Sequence, residues 1–495
     1  MSQHRLKRYS RVRVHDYDDF KMLYSLLVDI VQHPELALSI NEIVFRANYP
    51  SHEMYFYKTN RPEILRTQEN NRDISQEHLM FQAVECLDLE QAERLKWVRI
   101  LTWMKPELVE ARELALAGDE RSFEIEPFYE NRHVWFADHA SALLLILCPN
   151  IVSLVYEDGS RLVADVLRQN NYGLLPEKHL QKLRSVTLLP TTDMIFGDER
   201  FYINLDILSL LRLFHRLPVV ESVSVDGAGQ NYNFRNLDTF PPAISHLKRI
   251  HVGHAFYSTS VIGALIRVPR RLEEFTLTTG GRGTRDGSSF MRGAKTIGKA
   301  LLEQKSSLRN IDIDIDEYIT QIGRLGGGED EDEDEDEDEE NDNMDEWFRK
   351  DEDISTGPLK ISQLPNTREY RSTIGSLHDF GSLTHLSIGI KLLLGGSVLG
   401  REEEDEDAPF RLIEALPKSL EYLLIRGYNR GINGRYDSQI DEFLSQKDDR
   451  LPLLTELHGI EEIIPSAKSV EKPDKDKDLL WKMKKMDDDW IEVDV

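Results

Sequence analysis

Cysteine is almost missing from this sequence. Cys86 and Cys148 are the only two in 495 residues, which excludes a disulfide framework and fits a reducing compartment. No apolar run reaches the length of a membrane span, and the longest, "ALLLILC", falls far short. The opening "MSQHRLKRYSRVRV" has no apolar core, so it does not read as a secretory signal. There is no Asn-x-Ser/Thr acceptor. These absences lead to the expectation of a cytoplasmic or nuclear protein with no membrane partner.

Catalytic signatures are missing as well. There is no phosphate-binding Gly-x-x-x-x-Gly-Lys loop, no His-Glu-x-x-His, no Gly-x-Ser-x-Gly and no Cys-x-x-Cys. "GGRGTRDG" (Gly280 to Gly287) lacks dinucleotide spacing and the phosphate-binding lysine, and reads as a flexible edge loop. His133 and His139 are not spaced as metal ligands on one helix face, and "IDIDID" (Ile311 to Asp316) reads as a solvated strand face. No cofactor, no metal and no enzyme activity are expected.

Positive charge is in short supply: 61 Lys and Arg face 88 Asp and Glu, a net charge of −27. Most of the excess is local. Residues 329–353 hold 18 carboxylates against two basic residues, and residues 402–407 are all acidic. Neighbouring like charges repel by roughly 1 kcal/mol per pair in water, so residues 326–358 are expected to form a disordered acidic insert.

What the chain does have is a recurring phrase, apolar-x-x-apolar-x-apolar. It occurs as "IVSLVY", "LRSVTL", "VESVSV", "LKRIHV", "LEEFTL", "LRNIDI", "LTHLSI", "LEYLLI" and, more weakly, "LTEL". The last two apolar positions have the period of a half-buried strand, and the first lies where the chain turns in to the core. Amphipathic helical stretches alternate with the phrases. One, "NLDILSLLRLFHRLP", places Ile207, Leu208, Leu211 and Phe214 on one face and stops before Pro218. The expected fold class is α/β: an irregular leucine-rich-repeat solenoid of parallel strands plus helices, with a helical insertion and disordered acidic inserts. Successive phrases begin 25 to 75 residues apart, against about 20–29 in regular repeats, so the register is loose. The competing architecture is a doubly wound α/β domain.

The expected organisation is a strand–helix–strand unit at 9–46, a helical insertion at 75–147, the repeat array at 148–465 interrupted by the insert at 326–358, and a charged tail at 466–495. In the first unit, "DDFKMLYSLLVDIVQHP" is expected to be a helix capped by Asp18 or Asp19. Trp481 and Trp490 make the tail either a docking peptide or a cap on the last repeat.

In such repeats the side chains between the core positions face the concave surface. They form a candidate protein-binding face of Arg249, His251, Glu274, Asn310, Asp312, His385, Tyr422 and Arg426. It has no continuous basic track, so a protein or peptide partner is expected and nucleic acid is not.

The opening "YSRVRVHDYDDFKMLYSLLVDIVQHPELALSINEIVF", the phrases "HLKRIHV" and "VPRRLEEFTL", and the acidic insertion resemble the F-box/leucine-rich-repeat proteins of filamentous fungi. The resemblance implies a substrate-recognition subunit whose F-box engages a ubiquitin-ligase adaptor while the repeats hold the substrate. Only about eight residues precede the first strand, too few for a three-helix F-box. The expectation is therefore a truncated member or one without its F-box, which would bind the adaptor only if the missing domain were restored. Two other readings stay open: a repeat scaffold with no ligase role, and an acidic, nuclear chaperone-like binder of basic proteins.

Overall fold

The computed structural model describes residues 7–46, 74–75, 77–110, 122–190, 201–230, 241–282, 294–316, 373–395, 410–467 and 489–493. The expected acidic insert at 326–358, the run at 402–407 and most of the tail at 466–495 lie outside the described residues. The chain is a mixed α/β protein with twelve strands in open, mostly parallel sheet. It divides into two compact units, one of Met1–Gly197, Ser209–Val220 and Lys485–Val495, the other of Asp198–Leu208 and Glu221–Lys484. No described helix is long and apolar enough to cross a membrane.

In the first unit the strands Arg8–Val14, Glu42–Phe45, Ser153–Glu157 and Ser185–Leu189 lie side by side in chain order, all parallel. Val12, Val14, Ile43, Phe45, Leu154, Tyr156, Val186 and Leu188 turn into the core, while Val44, Val155 and Leu189, at the intervening positions, form a smaller buried cluster. The first crossover is the helix Tyr17–Gln32, which buries Phe20, Leu23, Leu27 and Ile30. Its cap is Asp16, not Asp18 or Asp19 as the sequence suggested. The Asp16 carboxylate accepts the Asp19 N–H at 3.0 Å, and Asp19 completes a capping box. The helices His78–Glu85, Gln91–Leu101 and Ser122–Leu147 fall within the region read as helical.

The second unit holds the strands Ser222–Asp226, Arg249–Gly253, Glu274–Thr278, Asn310–Asp314, His385–Gly389, Tyr422–Arg426 and Glu456–His458. They too are parallel and adjacent in chain order. Each phrase enters its strand in the same way. The carbonyl just before one strand accepts two successive N–H groups from the next phrase. Lys248 carbonyl takes Glu273 and Glu274 at 2.7 and 2.9 Å, Glu273 carbonyl takes Arg309 and Asn310, and Thr384 carbonyl takes Glu421 and Tyr422. In the first unit, Val152 carbonyl takes Arg184 and Ser185 in the same way. This forked bond ties each entry to its neighbour and sets the register.

That register aligns the core. Ile250, Phe275, Ile311, Leu386 and Leu423 form one row, and Val252, Leu277, Ile313, Ile388 and Ile425 the next. All ten are essentially inaccessible, each burial stabilising by about 1.5–3 kcal/mol. The row ends at Leu454 and Leu457, which are only half-buried.

Two local expectations need correction. The stretch after Ile207 is helical only over Ile207–Leu211, and then tightens into turns with the Leu213 and Phe214 N–H groups bonded three residues back. Leu210, Leu213 and Leu217 are buried as well as Ile207, Leu208, Leu211 and Phe214, so the apolar side is wider than the one face read from the sequence. "IDIDID" is not a solvated face either, since Asp314 and Asp316 are buried.

Candidate functional site

Strand alternation fixes which side chains leave the core. In the second unit, the residues between the buried positions line up in register across neighbouring strands. Arg249, Glu274, Asn310, His385 and Tyr422 make one row, continued by Glu456. His251, Thr276, Asp312, Ser387 and Leu424 make the next, continued by His458. All eight residues singled out from the sequence therefore fall on one open band over five adjacent strands. His251, Asn310 and His385 are exposed, and the other five are half-buried.

The band changes chemistry along its length. At one end it is charged: Lys248 pairs with Glu221 at 2.8 Å, with the Arg249 guanidinium 3.9 Å from the same carboxylate. At the other end it is aromatic. The His385 and Tyr422 rings stack with centroids 5.7 Å apart, and His458 lies 5.5 Å beyond Tyr422. Partial burial pushes the Tyr422 hydroxyl above its ordinary pKa, leaving it a neutral donor at physiological pH. An aromatic surface with hydroxyl and imidazole donors suits recognition of another polypeptide, where rigid rings give contact area at small entropic cost.

Beside the rings, Arg426 reaches back over the strand His385–Gly389 to Asp312, Nη1 to Oδ1 at 2.5 Å, with Asp314 Oδ2 3.8 Å from its Nε. Gly389, paired with Arg426, leaves room for the Asp316 carboxylate. A Cβ there would sit 2.0 Å from Asp316 Oδ1. Asp316 is fully used: it accepts the N–H groups of Lys391 and Leu392 at 3.1 and 3.2 Å, while burial pushes its carboxyl up to about 6. Asp314 accepts the Ala467 N–H at 2.9 Å. The three aspartates of Ile311 to Asp316 thus divide their work: Asp312 orients Arg426 on the open band, and the other two anchor backbone.

Sequence reasoning missed several features. Glu456 and His458 sit on the weakest phrase. His254 follows its strand at φ 41° and places Nδ1 2.8 Å from Asp226 Oδ1, which no local pattern could signal. The start of "GGRGTRDG" is not a surface loop. Arg282 is fully buried and donates to the carbonyls of Gly227 and Phe201 at 3.1 and 3.2 Å. The rest of that stretch, 283–287, lies outside the described residues.

The first unit contains a small cleft at the carboxyl ends of its first three strands, lined by Arg46, Asp138, Ser141, Tyr156, Glu157 and Ser160 among others. Burial pushes Asp138 up to about 7, opposed by a hydrogen bond from Ser160. Burial pushes the Cys148 thiol up to about 12 and deactivates it, while Cys86 is exposed. Among the described residues no three His, Cys, Asp or Glu side chains converge as a metal site. No protein-family model matches the chain, and comparison with curated proteins finds no relative.

Proposed function

We propose that this chain is a non-enzymatic leucine-rich-repeat protein of the cytoplasm or nucleus that presents the open band of its second unit to a protein partner. The observation that carries the reading is the ladder itself. Strands adjacent in sequence are adjacent in space, and their outward residues stand in common rows. A doubly wound domain reverses its strand order at the point where it binds ligand. Among the described residues, neither unit has such a reversal in its parallel strands. Sequential stacking is the pattern of a solenoid, whose product is an extended recognition surface. The role of substrate-recognition subunit related to F-box proteins rests on the sequence resemblance alone.

Photo-crosslinking tests the reading. A crosslinkable residue at Glu274, His385 or Tyr422 should capture one and the same polypeptide. The same probe at Trp135, exposed in the first unit, should not. Different captures from the three band positions would refute a common binding face. A ubiquitin-ligase adaptor in the captured complex would support the F-box relation, and basic nuclear proteins would favour the chaperone-like reading.

A further inference from the structure

The strand Arg8–Val14 has two edges. One pairs with Glu42–Phe45, and the other pairs antiparallel with Ile491–Val493, aligning Arg8 with Val493, Tyr9 with Glu492 and Arg11 with Ile491. A bare edge can be protected by any short strand or by a charge. The contacts here are far more selective. Lys7 Nζ lies 2.9 Å from Glu492 Oε2, and Arg13 Nη1 lies 3.0 Å from Asp489 Oδ1. The Trp490 indole donates to Asp19 Oδ1 at 2.8 Å and meets the Tyr9 ring edge-on at 4.9 Å.

The receiving side has supports of its own beside the tail, and with Trp490 seated Asp19 is 2% exposed. Its carboxylate is held by Arg13 Nε at 2.8 Å and by the His15 N–H at 3.0 Å, so an acceptor for an indole stands ready. The occupant, by contrast, is weakly held. It forms only three strand residues, all exposed, with Ile491 at 42% and Val493 at 39%. So short a pairing is marginal alone and depends on the high local concentration of a tethered segment.

We propose that the outer edge of Arg8–Val14 is a strand-addition docking site for an acidic, tryptophan-bearing segment of a partner protein, and that residues 489–493 are its competitor in the same chain. The partner segment reads carboxylate, tryptophan, apolar, carboxylate, apolar. Main-chain pairing supplies affinity, while the Asp19–Tyr9 indole seat and the Lys7 and Arg13 cations supply selectivity. This surface is separate from the band of the second unit, and the proposal stands independently of that reading.

The test uses the full chain and a fluorescent peptide with the sequence of residues 486–495. Trp490→Ala in the chain vacates the seat, and should bind the peptide at least tenfold more tightly than the wild-type chain, followed by anisotropy. A peptide carrying Trp490→Ala should lose that binding. Lys7→Glu, added to the Trp490→Ala chain, should weaken binding several-fold, and a Glu492→Lys peptide should restore it. Glu492→Lys in the chain, at an exposed position, is a second way to release the tail if Trp490→Ala perturbs folding. Equal peptide binding by wild-type and released chains, or binding indifferent to the peptide's tryptophan, would overturn the proposal.

Discussion

At the residue scale, one position decides between core and surface, and its neighbour does the opposite. Leu386 is fully buried in the core row, while His385 stands exposed on the open band. Leu386→Ala should cost about 2–5 kcal/mol, and His385→Ala no more than about 0.5 kcal/mol, by denaturant titration. Similar costs would mean the strand phase is wrong. Asp138 gives a second residue-level test. Its folded pKa, pushed up to about 7, exceeds the unfolded value, so the native state retains a proton that the unfolded chain releases. That stabilisation is complete below about pH 4 and is lost as pH rises through 7. Asp138→Asn should therefore come close to the wild type at pH 4 and exceed it at pH 8, by at most about 4 kcal/mol. A pH-independent difference between the two melting curves would contradict it. Arg46, Glu157 and Tyr156 line the same cleft and stay constant in this comparison.

At the element scale, the strands were legible because their pattern is local. A leading Leu, Ile or Val three residues before an alternating pair leaves one buried face, and every such phrase became a strand. The helices were less legible. The stretch from Ile207 keeps a helical apolar pattern through Leu217, and periodicity alone could not show that its chain would turn rather than continue. The strand Ile491–Val493 could not be read at all. Three residues carry no period, and its partner Arg8–Val14 lies more than 470 residues away. The forked carbonyl bonds were also invisible, since backbone groups leave no trace in side-chain identity. Gly389 marks an element boundary where a side chain is intolerable. Gly389→Ala should destabilise the start of the helix Ile390–Leu394 through its clash with Asp316, and Asp316→Gly in the same chain should relieve the clash while removing the cap. The double variant should thus be less damaged than the sum of the two single changes, measured by thermal melting.

At the scale of the whole molecule, strands laid side by side in chain order draw stability from their nearest neighbours, so the last member of the row is the weakest. Leu454 and Leu457 are half-buried where their counterparts are closed off. Amide exchange should be fastest in Glu456–His458 and slow in Asn310–Asp314, within one and the same unit. The candidate face was legible for the same reason as the core. Alternation that buries Leu423 and Ile425 must turn Tyr422 and Arg426 outward. What the sequence could not convey was how the band is organised: the stacking of His385 on Tyr422 and the reach of Arg426 to Asp312 depend on register between strands tens of residues apart. The most direct measurement of the binding role is calorimetry with the polypeptide captured from the band. The His385→Ala/Tyr422→Ala chain should bind it at least tenfold more weakly than the wild type while melting at the same temperature. Unchanged affinity in a folded double variant would contradict recognition through this face.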